Sequence, residues 1–271
     1  MSRKVFLVDV NRCNGCHNCQ VACKDEHCDQ SWLPYAVAQP DTGQFWCRVE
    51  QRVHGTVPKV NMTYWPVIGA QTDALKEYAP EVLADREDGL VVIDPEKAKG
   101  RKDLAEKFEG VFWNEELEVP QGCTGCAHLL DDGWDVPRCV DACAVGGIRF
   151  GEESDFADEL EQAEKLDPLS SVYYLNLPKR WVAGQVIDDE AREVVIGAKI
   201  TLRHVDQDGS DPLTAFTDEF GDFWFRKIAG AKYQLTIEKD GFLARTVKAD
   251  ATSADVNVGA IKLYKTQRIA V

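Results

Sequence analysis

The chain has 271 residues, 44% hydrophobic and 28% charged, a balance expected of a soluble globular protein and not of a disordered one. Its 46 acidic against 31 basic residues leave a net charge of -15, which argues against nucleic acid as a partner. Ten cysteines in a chain of this length are too few for a small disulfide scaffold, and the length itself allows one or two domains with a sizeable core.

The N-terminus, Met-Ser-Arg-Lys, has neither a signal-peptide core nor a twin-arginine pair, and no apolar run approaches the ~18 residues of a membrane span. Cytoplasmic location is therefore expected, with export on a signal-bearing partner as the alternative. Residues 5 to 10 read as a short buried strand. It leads straight into Cys13-Asn-Gly-Cys16-His-Asn-Cys19-Gln-Val-Ala-Cys23. The spacing C-x2-C-x2-C-x3-C is the run that wraps cubane iron–sulfur clusters, with the fourth cysteine ligating a different cluster. Gly15 suits the tight wrap of backbone that such a site needs, and His17 is expected to be a hydrogen-bonding or surface residue rather than a ligand.

Cys28 and Cys47 fit no ligand pattern and are expected to be buried, inert thiols. Residues 32 to 66, rich in aromatics, Pro and Gly, read as an irregular packed insertion with short strands. A subunit contact and core packing are equal accounts of those aromatics. A helix is expected over residues 73 to 79, a strand over Leu90–Asp94, a helix from Pro95 to about Phe108 and a short strand at Val111–Trp113.

A second cysteine run follows, Cys123-x2-Cys126-x12-Cys139-x3-Cys143, with Gly125 where Gly15 stands in the first. If each run lends its last cysteine to the other, eight cysteines are assigned without remainder. Cluster one takes Cys13, Cys16, Cys19 and Cys143; cluster two takes Cys123, Cys126, Cys139 and Cys23. Two zinc sites are the competing reading, but zinc sites are usually two separated pairs, and here four thiols fall within eleven residues.

Ser154–Asp167 reads as a charged amphipathic helix with Ser154 as its N-cap, ended by Pro168. From Trp181 onward seven short strands are separated by turn signals such as Lys239-Asp240-Gly241, and the stretch contains no cysteine. The expected architecture is α+β: a ferredoxin-like two-cluster domain over residues 1–153, with an insertion at 32–122, a helix and connector at 154–180, and an all-β sandwich of immunoglobulin-like or prealbumin-like kind at 181–271.

The two cysteine runs in this order resemble the iron–sulfur subunits of the dimethyl-sulfoxide-reductase class of molybdenum or tungsten enzymes. Arg52–Pro58, Asp85–Gly100 and the stretch from Cys123 to Asp132 point, within that class, to the small subunits of the pyrogallol–phloroglucinol transhydroxylase branch. The terminal strands are similar to carboxypeptidase-regulatory-like domains. Subunits of the class commonly hold four clusters, and the transhydroxylase branch is expected to keep three. Here the corresponding middle stretches, Trp65–Gln71 and Glu106–Gly110, contain no cysteine.

The resemblance implies an electron-transfer subunit with two [4Fe-4S] clusters. Its partner would be a large catalytic subunit holding molybdenum or tungsten bound by bis-molybdopterin guanine dinucleotide. A small electron-donor protein is implied as a further partner. Ring chemistry on polyhydroxylated aromatics is implied, as hydroxyl transfer or as reductive removal of a catechol hydroxyl. The reading from a different class is a structural or docking subunit whose clusters take no part in turnover. No nucleophile elbow, Walker loop or catalytic triad is present in the sequence, so no independent activity and no catalytic residue is expected.

Overall fold

The computed structural model describes residues 3–56, 59–206 and 211–266. Val57 and Pro58 of the Arg52–Pro58 motif lie outside the described residues. The chain divides into two compact units, one formed by residues 1–52 and 63–177, the other by 53–62 and 178–271.

In the first unit the apolar run at the N-terminus forms β1 (Lys4–Asp9), whose Val5, Phe6, Leu7 and Val8 are buried on both faces. Burying four such side chains is worth roughly 1.5–3 kcal/mol each, which explains why this strand sits in the middle of its sheet. There follow α1 (Asn18–His27), β2 (Cys47–Thr56) and β3 (Lys59–Ile68), the last two pairing with each other, with their residues 53–62 counted in the second unit. The insertion is thus irregular only to residue 46. Beyond it the expected short strands are two of ten residues each.

The chain continues through α2 (Asp73–Tyr78), capped by the Thr72 hydroxyl, α3 (Lys102–Lys107), β4 (Phe112–Asn114) and β5 (Val119–Gln121). Two expectations fail in this stretch. Leu90–Asp94 is not a strand, because its backbone pairing is a single antiparallel bridge, Leu83 with Ile93, and a side chain takes the place of a partner strand at Val91. Gln71 accepts from the Val91 N–H at 3.1 Å and donates to the Val91 carbonyl at 2.8 Å. The helix expected from Pro95 starts only at Lys102. Before it, the Asp94 carboxylate accepts from the Glu96 and Lys97 N–H groups and holds them in turns, which Gly100 ends at φ +80°.

Next come α4 (Ala127–Asp131), α5 (Arg138–Asp141), β6 (Ile148–Glu152), α6 (Ala157–Leu160) and β7 (Val172–Leu175). β1 lies between β6, antiparallel, and β7, parallel. The fourteen-residue helix expected at Ser154–Asp167 is reduced to one turn of 3-10 helix and the four residues of α6, and its cap is Glu152, not Ser154. Its acidic side chains repel along a helix face, and the Glu164 backbone instead exchanges both hydrogen bonds with Tyr174 at 2.8 Å.

The second unit contains the seven expected strands: β8 (Arg180–Asp188), β9 (Lys199–His204), β10 (Leu213–Phe216), β11 (Asp222–Ile228), β12 (Lys232–Glu238), β13 (Arg245–Asp250) and β14 (Val256–Leu263). They form a four-stranded sheet, β10-β9-β12-β13, and a three-stranded sheet, β11-β8-β14. Alternate residues of both sheets, among them Val182, Val186, Ile200, Leu202, Phe223, Leu235, Ile237 and Ile261, meet in one core.

Candidate functional site

β1 delivers the chain to the first cysteine run through a single 3-10 turn, where the Asp9 carboxylate accepts from the Asn11 N–H at 3.1 Å. Gly15 then turns at φ +72°, and a Cβ there would lie 2.6 Å from the Tyr64 ring, so only glycine fits. His17 is exposed, with its Nδ1 3.2 Å from the Gln20 amide oxygen; it is the surface hydrogen-bonding residue expected. α1 starts at Asn18 and carries Cys19 and Cys23 one turn apart, both buried.

The second run is fixed by Gln71, which donates to the Cys123 carbonyl at 2.7 Å, and by Gly125 at φ +63° packed on Leu90. Cys126 takes a left-handed conformation before α4, Cys139 lies on α5, and Cys143 follows it. The two cysteine-bearing helices are tied together. Glu26 of α1 lies 3.4 Å from the Arg138 guanidinium of α5 and 3.0 Å from His128 Nε2 of α4. Burial, with the neighbouring His128, lowers the pKa of His27 to about 3, so its imidazole is neutral in this packed layer.

The fold brings the eight cysteines into two groups. Cys13, Cys16, Cys19 and Cys143 line one small void with Val49, Pro66, Val145 and Ile148. Cys23, buried, faces Cys123, Cys126 and Cys139, which are buried as well. Each group takes three cysteines from one run and one from the other. Backbone N–H groups point at the sulfurs: Gly125 at Cys123 Sγ at 3.3 Å and Gly147 at Cys143 Sγ at 3.2 Å.

Burial first, and then the neighbouring thiols, hold down the acidity of four of these cysteines, whereas Cys19 shifts the other way. The Cys123 thiol is pushed up to about 12, and Cys13, Cys23 and Cys126 also shift upward. Sulfurs that oppose one another's ionisation, with amide donors aimed at Cys123 and Cys143, suit a compact cation that supplies the missing positive charge. The residues therefore fit a thiolate-ligated iron–sulfur group. All-sulfur donors also exclude hard cations such as calcium and magnesium.

The two cysteine-free middle stretches line a cavity of about 600 Å³, walled by Trp65, Phe108 and Tyr174, with Arg48 ion-paired to Glu50 and Glu109 beside it. Its lining contains no thiol. Cys28 departs from expectation: it is half-buried, caps α1, and lies 3.8 Å from Asp41. Cys47 is buried as expected, in the same packed layer as Cys19 and Cys139. No spacing in the sequence could have signalled that neighbourhood.

Residues 71–153 match the 4Fe-4S dicluster domain family, and residues 182–263 match the carboxypeptidase regulatory-like domain family. The chain is 35% identical to the pyrogallol hydroxytransferase small subunit of Pelobacter acidigallici, over 97% of this chain and 100% of that one. It is 29% identical to a tetrathionate reductase subunit of Salmonella typhimurium, over 55% of this chain and 57% of that one. With a subunit of the anaerobic dimethyl sulfoxide reductase of Escherichia coli the identity is 24%, over 62% and 83%. No described helix is long and apolar enough to cross a membrane.

Proposed function

The chain belongs to the family of iron–sulfur electron-transfer subunits of the dimethyl-sulfoxide-reductase class of molybdenum enzymes, and from this we propose that it holds two [4Fe-4S] clusters and serves a large molybdopterin subunit acting on polyhydroxylated aromatics. Cluster one is assigned to Cys13, Cys16, Cys19 and Cys143, and cluster two to Cys23, Cys123, Cys126 and Cys139. The observation that carries this reading is the exchange of Cys143 and Cys23 between runs, which gives two complete sets of four sulfurs. The ferredoxin-like arrangement, in which β1 and β6 flank the two runs, is part of the same proposal.

When bound, such clusters take up and release single electrons. The chain's own residues do the rest. The amide N–H groups of Gly125 and Gly147 stabilise charge on the ligating sulfurs. The buried Val10, Ile148, Ala127 and Leu90 keep water away from them. The metal in the partner is molybdenum or tungsten held by bis-molybdopterin guanine dinucleotide, and the chemistry is hydroxyl transfer between phenols or reductive loss of a catechol hydroxyl. The pyrogallol hydroxytransferase relative supports the phenolic class of substrate. The domain of residues 181–271 is assigned to docking.

Anaerobic iron and sulfide analysis should find about eight of each per chain, four per cube. About four or twelve irons, or stoichiometric zinc, would refute the assignment.

A further inference from the structure

We infer that the cavity lined by the two cysteine-free middle stretches is a binding site for a planar, uncharged, bicyclic aromatic that carries hydroxyl groups. Its lining has no thiol, so the inference does not rest on the two-cluster reading. The cavity measures about 600 Å³, within the roughly 300–1,000 Å³ of pre-formed small-molecule sites. A cavity of about 150 Å³ already holds benzene, so a single ring would be loose here. The apolar wall consists of Trp65, Ile68, Phe108, Val172 and Tyr174, of which Ile68, Val172 and Tyr174 are buried. Such a wall takes the face or edge of an aromatic ring. The shape is set by backbone. A Cβ on Gly69 would lie 2.6 Å from the Gly110 Cα, and the Gly69 N–H donates to the Trp46 carbonyl at 3.0 Å. Only glycine lets the two stretches meet there.

The polar part of the lining selects the ligand's substituents. Arg48 Nε donates to Glu50 Oε1 at 2.7 Å and Arg48 Nη2 to Glu109 Oε1 at 2.6 Å. Guanidinium donors therefore stand beside carboxylate acceptors on the more exposed side, where the Glu109 side chain is 84% exposed. A hydroxyl can donate to a carboxylate and accept from a guanidinium at once; an ether or a hydrocarbon has no proton to give. The lining sets Arg48 and Lys107 against Glu50, Glu109 and Asp167. Lys107 Nζ sits 3.6 Å from the centre of the Tyr78 ring. The excess of carboxylates opposes an anionic ligand.

The test is anaerobic titration calorimetry of the full-length chain with a dihydroxynaphthalene whose hydroxyls are on separate rings, so that it cannot chelate iron. It should bind saturably, one molecule per chain. The matching dimethoxynaphthalene and a naphthalenedisulfonate should each bind at least about tenfold more weakly, the first for want of O–H donors and the second for its charge. Trp65→Ala and Glu109→Ala should each weaken the diol about tenfold. Phe216→Ala, on exposed β10 of the other unit, should leave its affinity unchanged.

Absence of saturable binding would overturn the inference. So would equal affinity for the diol and its dimethyl ether, or diol binding that neither cavity variant weakens. If Trp65→Ala alone fails to fold, Glu109→Ala, at an exposed position, decides. A chain with about eight irons that ignores the diol refutes this site and leaves the cluster assignment standing.

Discussion

Single residues carry most of the specificity in the cluster domain. Gly15 and Gly125 occupy left-handed backbone where a Cβ would strike Tyr64 or Leu90, and the Gly125 amide is left free to face Cys123 Sγ. Cys143 and Cys23 each stand last in a run yet lie with the other run's sulfurs. Cys143→Ser should therefore perturb the paramagnetic signal of the cluster nucleated by Cys13, and Cys23→Ser that of the cluster nucleated by Cys123. Spectra in which each variant damages its own run's cluster would reverse the pairing. Because binding of the metal group is coupled to folding, both variants should also lose solubility.

At the scale of elements, β7 is the piece whose role the linear chain hides. It lies within the 154–180 segment, beyond the second cysteine run, yet pairs in parallel with β1 and buries Val172 and Tyr174. Those two side chains contribute roughly 3–6 kcal/mol, a large share of the ~5–15 kcal/mol that holds a domain together. A chain ending at Asp167 should accordingly lose its clusters or precipitate, whereas one ending at Leu177 should retain about eight irons. Iron analysis of the two truncations checks this; equal iron in both would show β7 to be dispensable. The same reasoning explains the lost helix at Ser154–Asp167. Glu159 is drawn to Arg149 at 2.7 Å and the Glu164 backbone to Tyr174, so tertiary partners outweigh a weak local periodicity.

For the whole molecule, all eight proposed ligands precede residue 144, and everything after Trp181 is a cysteine-free β domain. The isolated full-length chain should show reversible one-electron reduction but turn over no phenol. Turnover by the purified chain, free of any molybdenum or tungsten subunit, would refute the assignment of the chemistry to a partner. Clusters that no accessible reductant could reduce would favour a scaffolding role. Within the complex, a requirement for an external electron donor separates reductive dehydroxylation from hydroxyl transfer, which is redox-neutral overall.

The sequence by itself determined the cysteine chemistry, the two glycine turns, β1 and the seven-stranded domain. In each, the signal is local: ligand spacing within a few residues, a demand for positive φ, or an alternation of apolar side chains along one strand. Only the tertiary structure decided that Gln71 replaces a strand partner for Val91, that β7 completes the sheet of β1, and that Cys47 joins the packed layer of Cys19 and Cys139. Those contacts join residues twenty to more than a hundred and sixty positions apart in the chain. They exist because folding closes the loops between them, and no periodicity in the intervening residues encodes that closure.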